Sequence, residues 1–145
     1  MEEHLEIVCP HCSAVNRVQS GRLNERPKCG KCKEDLFAGH PVELTAENFE
    51  KTISRTGIPV VVDFWASWCG PCKMTAPVFQ QAAARLEPSV RLAKVNTETE
   101  QTLAGQFRIQ SIPTLVIFKN GREVARQPGA MDLNALLRWV RSYAF

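Results

Sequence analysis

The chain is poor in aromatic residues, with one tyrosine, three tryptophans and seven phenylalanines among 145 residues, and it has only three histidines. It has no uninterrupted apolar run of the roughly eighteen residues a membrane-spanning helix needs, so no membrane association is expected. The acidic stretch Met1-Glu2-Glu3-His4 is followed by no apolar segment of the secretory kind, which makes the cytoplasm the expected location. Strong charge of either sign is also lacking. Residues 1–40 hold six basic and six acidic side chains, and the net +3 falls in the remainder, which gives no general case for nucleic-acid binding. There is no internal repeat and no low-complexity tract. At this length the chain suits one core of ordinary size with a small appendage, rather than two full domains, and a monomer is expected.

What is present is cysteine. Six cysteines in a cytoplasmic chain point to metal binding or catalysis, because cellular thiol pools keep structural disulfides reduced. They divide into Cys9, Cys12, Cys29 and Cys32 on one side and Cys69 and Cys72 on the other, so residues 1–40 and 41–145 read as separate units. In the first unit Val8, Val15, Val18, Leu23, Leu36 and Phe37 are too sparse to bury a core unaided. Two Cys-x2-Cys pairs sixteen residues apart supply a staple: each makes a tight knuckle, and together they offer the four thiolates that structural zinc prefers. Iron or two disulfides are the alternatives. His11, inside the first knuckle, reads as a solvent-side residue rather than a further ligand. Arg17, Arg22, Arg26, Lys28, Lys31 and Lys33 form a local basic cluster that would offset the −2 charge of a zinc tetrathiolate. A nucleic-acid ribbon would need stacking aromatics between the cysteines, and there are none.

The second unit alternates strand and helix patterns. A short strand is expected at 41–44, then a helix capped by Thr45 and stopped near Gly57, and a buried strand at 59–66. A helix follows over 70–86 with Met74, Val78, Ala82 and Leu86 on its apolar face and a kink at Pro77. Further on come a strand at 90–96, a helix opened by a capping box of Thr97 and Glu100, and a strand at 114–118. Asn120-Gly121 should then turn the chain into an antiparallel strand at 122–127. Asp132 should cap a last helix with Leu133, Leu136, Leu137 and Val140 on one face. The implied order, β-α-β-α-β-α-β-β-α, is a mixed sheet covered by helices on both faces.

Within that frame, Trp68-Cys69-Gly70-Pro71-Cys72-Lys73 lies at a strand-to-helix junction. A helix start lowers a thiol's pKa, and a spacing of three places both sulfurs on one face. Cys69 should be the exposed attacking thiolate and Cys72 the shielded thiol that resolves the mixed disulfide. A further metal knuckle is excluded, because residues 41–145 supply no other thiol. Asp63 interrupts an apolar strand and reads either as a buried carboxyl of raised pKa that takes the Cys72 proton, or as a strand-end residue reaching solvent. Pro113 stands just before a central-looking strand, where a proline must open the strand or sit in a turn.

Asp63 to Lys73, with Pro77, Lys94, Ile112-Pro113-Thr114 and Gly129, closely resembles thioredoxin across residues 41–145. The resemblance implies that Cys69 is the nucleophile, Cys72 the resolving thiol, Asp63 the proton acceptor and Lys94 its neighbour. Pro113 would be a cis-proline beside the disulfide, leaving the Ile112 backbone free to pair with an extended substrate. Trp68, Ile112, Gly129 and Ala130 would make an apolar docking rim, from which Thr97 departs by being polar. Gly70-Pro71 between the cysteines resembles the reducing members of the family. An NADPH-linked thioredoxin reductase is the implied partner, with client proteins such as ribonucleotide reductase, peroxiredoxin and methionine sulfoxide reductase, and no organic cofactor is bound. A zinc module ahead of such a domain resembles the bacterial thioredoxin 2 family over the whole chain. A reading of another class is a zinc-dependent binding or holdase module whose redox domain only tethers clients.

Overall fold

The computed structural model describes residues 3–145, so Met1 and Glu2 of the acidic leading stretch lie outside the described residues. The first unit opens with a hairpin, β1 (His4–Val8) against antiparallel β2 (Val15–Gln19), followed by a short 3-10 turn at Ser20–Arg22. Its two knuckles close over this hairpin, and a bridge between Lys28 and Asp35 holds the second knuckle.

The second unit runs β3 (Val42–Leu44), α1 (Phe49–Arg55), β4 (Val60–Trp65), α2 (Gly70–Leu86), β5 (Arg91–Asn96), α3 (Gln101–Gln106), β6 (Thr114–Lys119), β7 (Arg122–Pro128) and α4 (Leu133–Ala144). The sheet order is β3-β5-β4-β6-β7, parallel from β3 through β4 and antiparallel from β4 to β7. β4 is central and reads as a continuous apolar run because both its faces are covered. On one face Val61, Leu92, Leu115 and Ile117 pack against Phe79, Ala82, Leu136 and Val140 of α2 and α4. On the other, Val60, Val62, Phe64 and Phe118 pack against Phe49 and Ile53 of α1 and Leu103 of α3. Each of the Val, Leu, Ile and Phe side chains among them contributes about 1.5–3 kcal/mol by leaving water. The Asn120-Gly121 turn has both residues at positive φ, 53° and 79°, as a type I′ hairpin requires.

Three local expectations are corrected. Helix α1 begins at Phe49 rather than beside Thr45, because the Thr45 N–H donates to Asn48 Oδ1 (2.7 Å) and closes a turn ahead of the helix. Thr97 and Glu100 form no capping box: Thr97 Oγ1 donates to the Trp65 carbonyl (3.0 Å), and Glu100 accepts from the Ala46 N–H (2.8 Å). Met74 faces solvent at 71% exposure, and the buried stripe of α2 is instead Cys72, Thr75, Phe79, Ala82, Ala83 and Leu86. Helix α2 runs unbroken through Pro77, which has no N–H to offer the preceding turn.

The two units share a core. Ile58 of the second unit packs among Ile7, Cys9, Val18, Cys29 and Leu36 of the first, and the Gly57 N–H donates to the Glu6 carbonyl at 2.7 Å. Arg91, almost fully buried, pairs with Glu87 at 3.1 Å, donates to the Leu36 carbonyl at 2.6 Å and lies 4.5 Å over the Phe37 ring. The sparse apolar residues of 1–40 are thus completed by side chains from the neighbouring unit.

Candidate active site and metal centre

β4 ends at Trp65, and the chain turns through Ala66-Ser67-Trp68 into α2, so the residues at this junction present the reactive sulfurs. Cys69 occupies the N-cap of α2, with Gly70 and Pro71 in the first turn, where a missing proline N–H leaves no bond unmade. Its sulfur accepts the Cys72 N–H at 3.1 Å and is bonded to Cys72 Sγ, with Cα atoms 5.2 Å apart. The helix start and this N–H both stabilise negative charge on Cys69 once the bridge is reduced. Cys69 is less accessible than the sequence suggests: it is 4% exposed, against 3% for Cys72, because Ala66, Trp65 and Ile112 pack around the bridge.

Asp63 lies behind the bridge on β4, 1% exposed, and its Oδ1 has no hydrogen-bond partner. Burial pushes its carboxyl up to about 7, the adjacent Lys94 drawing it back down and Glu43 adding to the rise. Lys94 stands opposite Asp63 in the β4–β5 register, with Nζ 4.6 Å from the Trp65 ring. A cavity of about 250 Å³ is lined by Asp63, Cys72, Lys73 and Lys94.

The Ile112–Pro113 peptide bond is cis, and Cys69 Sγ lies 3.7 Å from the Ile112 carbonyl oxygen. The Pro113 carbonyl accepts the N–H of Gly129 at 2.8 Å; Gly129 has φ of 93°, the left-handed region that favours glycine. That bond ties Gly129 to the neighbour of Ile112; Gly129 and Ala130 are exposed, and Trp68, next to Cys69 in the chain, is 71% exposed. Two supports were not legible in the sequence. Glu98 accepts both the N–H and the hydroxyl of Ser67 at 2.6 Å, fastening the loop ahead of Cys69, and no motif joins residues so far apart. Glu43 faces Lys94 from the other side, and a charged residue inside the short β3 pattern was its one signal.

In the first unit the four sulfurs of Cys9, Cys12, Cys29 and Cys32 lie within 4.8 Å of one another and form no disulfide. Cys9–Cys32 and Cys12–Cys29 sulfur separations are 3.6 Å, near the roughly 3.8 Å edge of a tetrahedron built on 2.3 Å metal–sulfur bonds. Backbone N–H groups of His11 and Lys31 point at Cys9 and Cys29, as thiolates in knuckles require. The residues fit a tetrathiolate metal site.

A dithiol bridge at a helix start, in front of a buried carboxyl and beside a cis-proline, on a mixed sheet with helices on both faces, defines a thiol–disulfide oxidoreductase. The thioredoxin family profile matches residues 40–142, and the family described as Thioredoxin 2, N-terminal, a zinc ribbon, matches residues 8–34. The chain belongs to the thioredoxin family. It is 45% identical over 134 residues to thioredoxin C-3 of Corynebacterium nephridii, covering 92% of each chain. It is 42% identical over 101 residues to a bifunctional thioredoxin reductase/thioredoxin of Mycobacterium leprae, covering 70% of this chain and 22% of that one. A mutant thioredoxin from Halobacterium salinarum NRC-1 superimposes with a TM-score of 0.67 at 30% identity, over 75% of this chain and 95% of the other.

Proposed function

We propose that the protein reduces disulfides in cytoplasmic client proteins through Cys69 and Cys72 and is returned to the dithiol by an NADPH-linked thioredoxin reductase. The observation that carries this is the placement of Cys69 at the α2 N-cap, its sulfur held by the Cys72 N–H, over a buried Asp63. The Cys69 thiolate attacks a client disulfide, and Cys72 then attacks the mixed disulfide at Cys69, releasing the client as a dithiol. Asp63 takes the Cys72 proton in that step, and Lys94 tempers its basicity. Trp68, Ile112, Gly129 and Ala130 receive an extended client segment, with Pro113 holding the Ile112 backbone open to pair with it. Gly70-Pro71 supports the reducing direction, and the M. leprae relative, named for both a reductase and a thioredoxin, supports the electron donor.

Cys9, Cys12, Cys29 and Cys32 would hold structural zinc, which when bound supplies a closed tetrathiolate staple and no chemistry at Cys69. Insulin reduction coupled to NADPH and thioredoxin reductase tests the assignment. Cys72→Ser should abolish turnover and accumulate mixed disulfides at Cys69; turnover without Cys72, or no trapped clients, would favour the tethering module instead.

A further inference from the structure

Three charged side chains lie in one row across the sheet. Glu43 of β3 stands opposite Lys94 of β5, and Lys94 stands opposite Asp63 of β4, so Lys94 has a carboxyl on each side on the same face. Lys94 lies over the Trp65 ring, whose buried indole Nε1 has no hydrogen-bond partner. Glu43 sits on the edge strand and is exposed to solvent, whereas Asp63 is sealed in. Its other side opens onto a cleft of about 250 Å³ between β3 and the first knuckle, where His11, His40 and Arg91 are the remaining charged or titratable groups. Glu100, ahead of α3, also acts on Glu43, while Lys73 and Cys72 face Asp63 from α2.

We propose that Glu43 is a positioning residue of the dithiol site: it divides the charge of Lys94 between two carboxylates and so keeps Asp63 a strong enough base for the Cys72 proton. This rests on the reading of Asp63 as proton acceptor. In the resolving step the Cys72 sulfur bonds to the Cys69 sulfur as the Cys69–client bond breaks. The client sulfur leaves with the electron pair, the Cys72 proton passes to Asp63, and the client is reduced by two electrons as the dithiol is oxidised. With Glu43 neutral, Lys94 faces a single anion and holds the Asp63 carboxylate more firmly, which makes Asp63 the weaker base. Burial is the largest influence raising the Asp63 carboxyl, with Lys94 lowering it and Glu43 raising it further.

The test is an NMR titration of the Asp63 carboxyl in the full-length disulfide form, where no active-site thiol titrates alongside it, paired with the pH profile of insulin reduction. Glu43→Gln should lower the Asp63 midpoint by about half a pH unit, roughly threefold in proton affinity for a carboxylate partly screened by water. Lys94→Met should raise it, and the turnover profile should move with the midpoint in both variants. An unchanged midpoint in Glu43→Gln overturns the proposal. A lowered midpoint that the turnover profile does not follow overturns the role of Asp63 as proton acceptor, and the proposal with it, while leaving the coupling between the carboxyls standing.

Discussion

Burying Asp63 changes how the fold responds to pH. The folded protein holds the Asp63 proton up to about pH 7, whereas an unfolded chain releases it near 3.8. Between those values the folded state binds the proton more tightly, so its stability falls as pH rises through the window and the loss is complete above it. Asp63→Asn should therefore be more stable than the parent at pH 8 by on the order of 4 kcal/mol and nearly equal to it at pH 4, as read from urea unfolding of the disulfide form. An equal difference at both pH values would mean that the carboxyl is ionised throughout. Asp63 was conspicuous as the one acid in an apolar strand, and Cys69 and Cys72 by their spacing. Glu98 was not, because its partner Ser67 is near only once β4 and β5 have paired.

Elements were legible where their signals are local. The Asn120-Gly121 turn and the Asp132 cap both need only their immediate neighbours, and Asp132 Oδ1 does accept the Ala135 N–H at 2.8 Å. Asp132→Ala should cost about 1 kcal/mol in thermal unfolding. The face of α2 was less legible, since Met74 and Phe79 are both apolar and only the tertiary packing decides which one turns inward. Phe79→Ala should cost about 3–5 kcal/mol and Met74→Ala within about 0.5, and similar losses for the two would contradict the orientation of the helix. Thr97 and Glu100 match the capping-box spacing, yet stronger partners, the Trp65 carbonyl and the Ala46 N–H, claim them.

At the scale of the whole molecule, division into residues 1–40 and 41–145 follows the cysteines but not the packing. Arg91 and Glu87 form a nearly dry ion pair, and a second Arg91 nitrogen donates to Leu36 of the other unit. Arg91→Ala should destabilise the protein by about 3–5 kcal/mol because it strands the Glu87 charge, whereas replacing both by apolar residues should cost less. Removing metal with a strong chelator should unfold the knuckles and shift the NMR signals of Ile58 and Arg91, while insulin reduction persists. Loss of reduction on chelation would place the module within the catalytic unit.

Ile58 and Arg91 also bear on the order in which the protein is made. The knuckle cysteines leave the ribosome before the two side chains that finish their core, so for part of synthesis the four thiols lack the shelter of Ile58 and Arg91. Capturing metal during that interval would stabilise the nascent hairpin before its apolar partners arrive. Ribosome-bound chains halted before and after residue 91 has emerged should differ in thiol alkylation in the absence of metal, and equal protection in both would show that the knuckles close unaided.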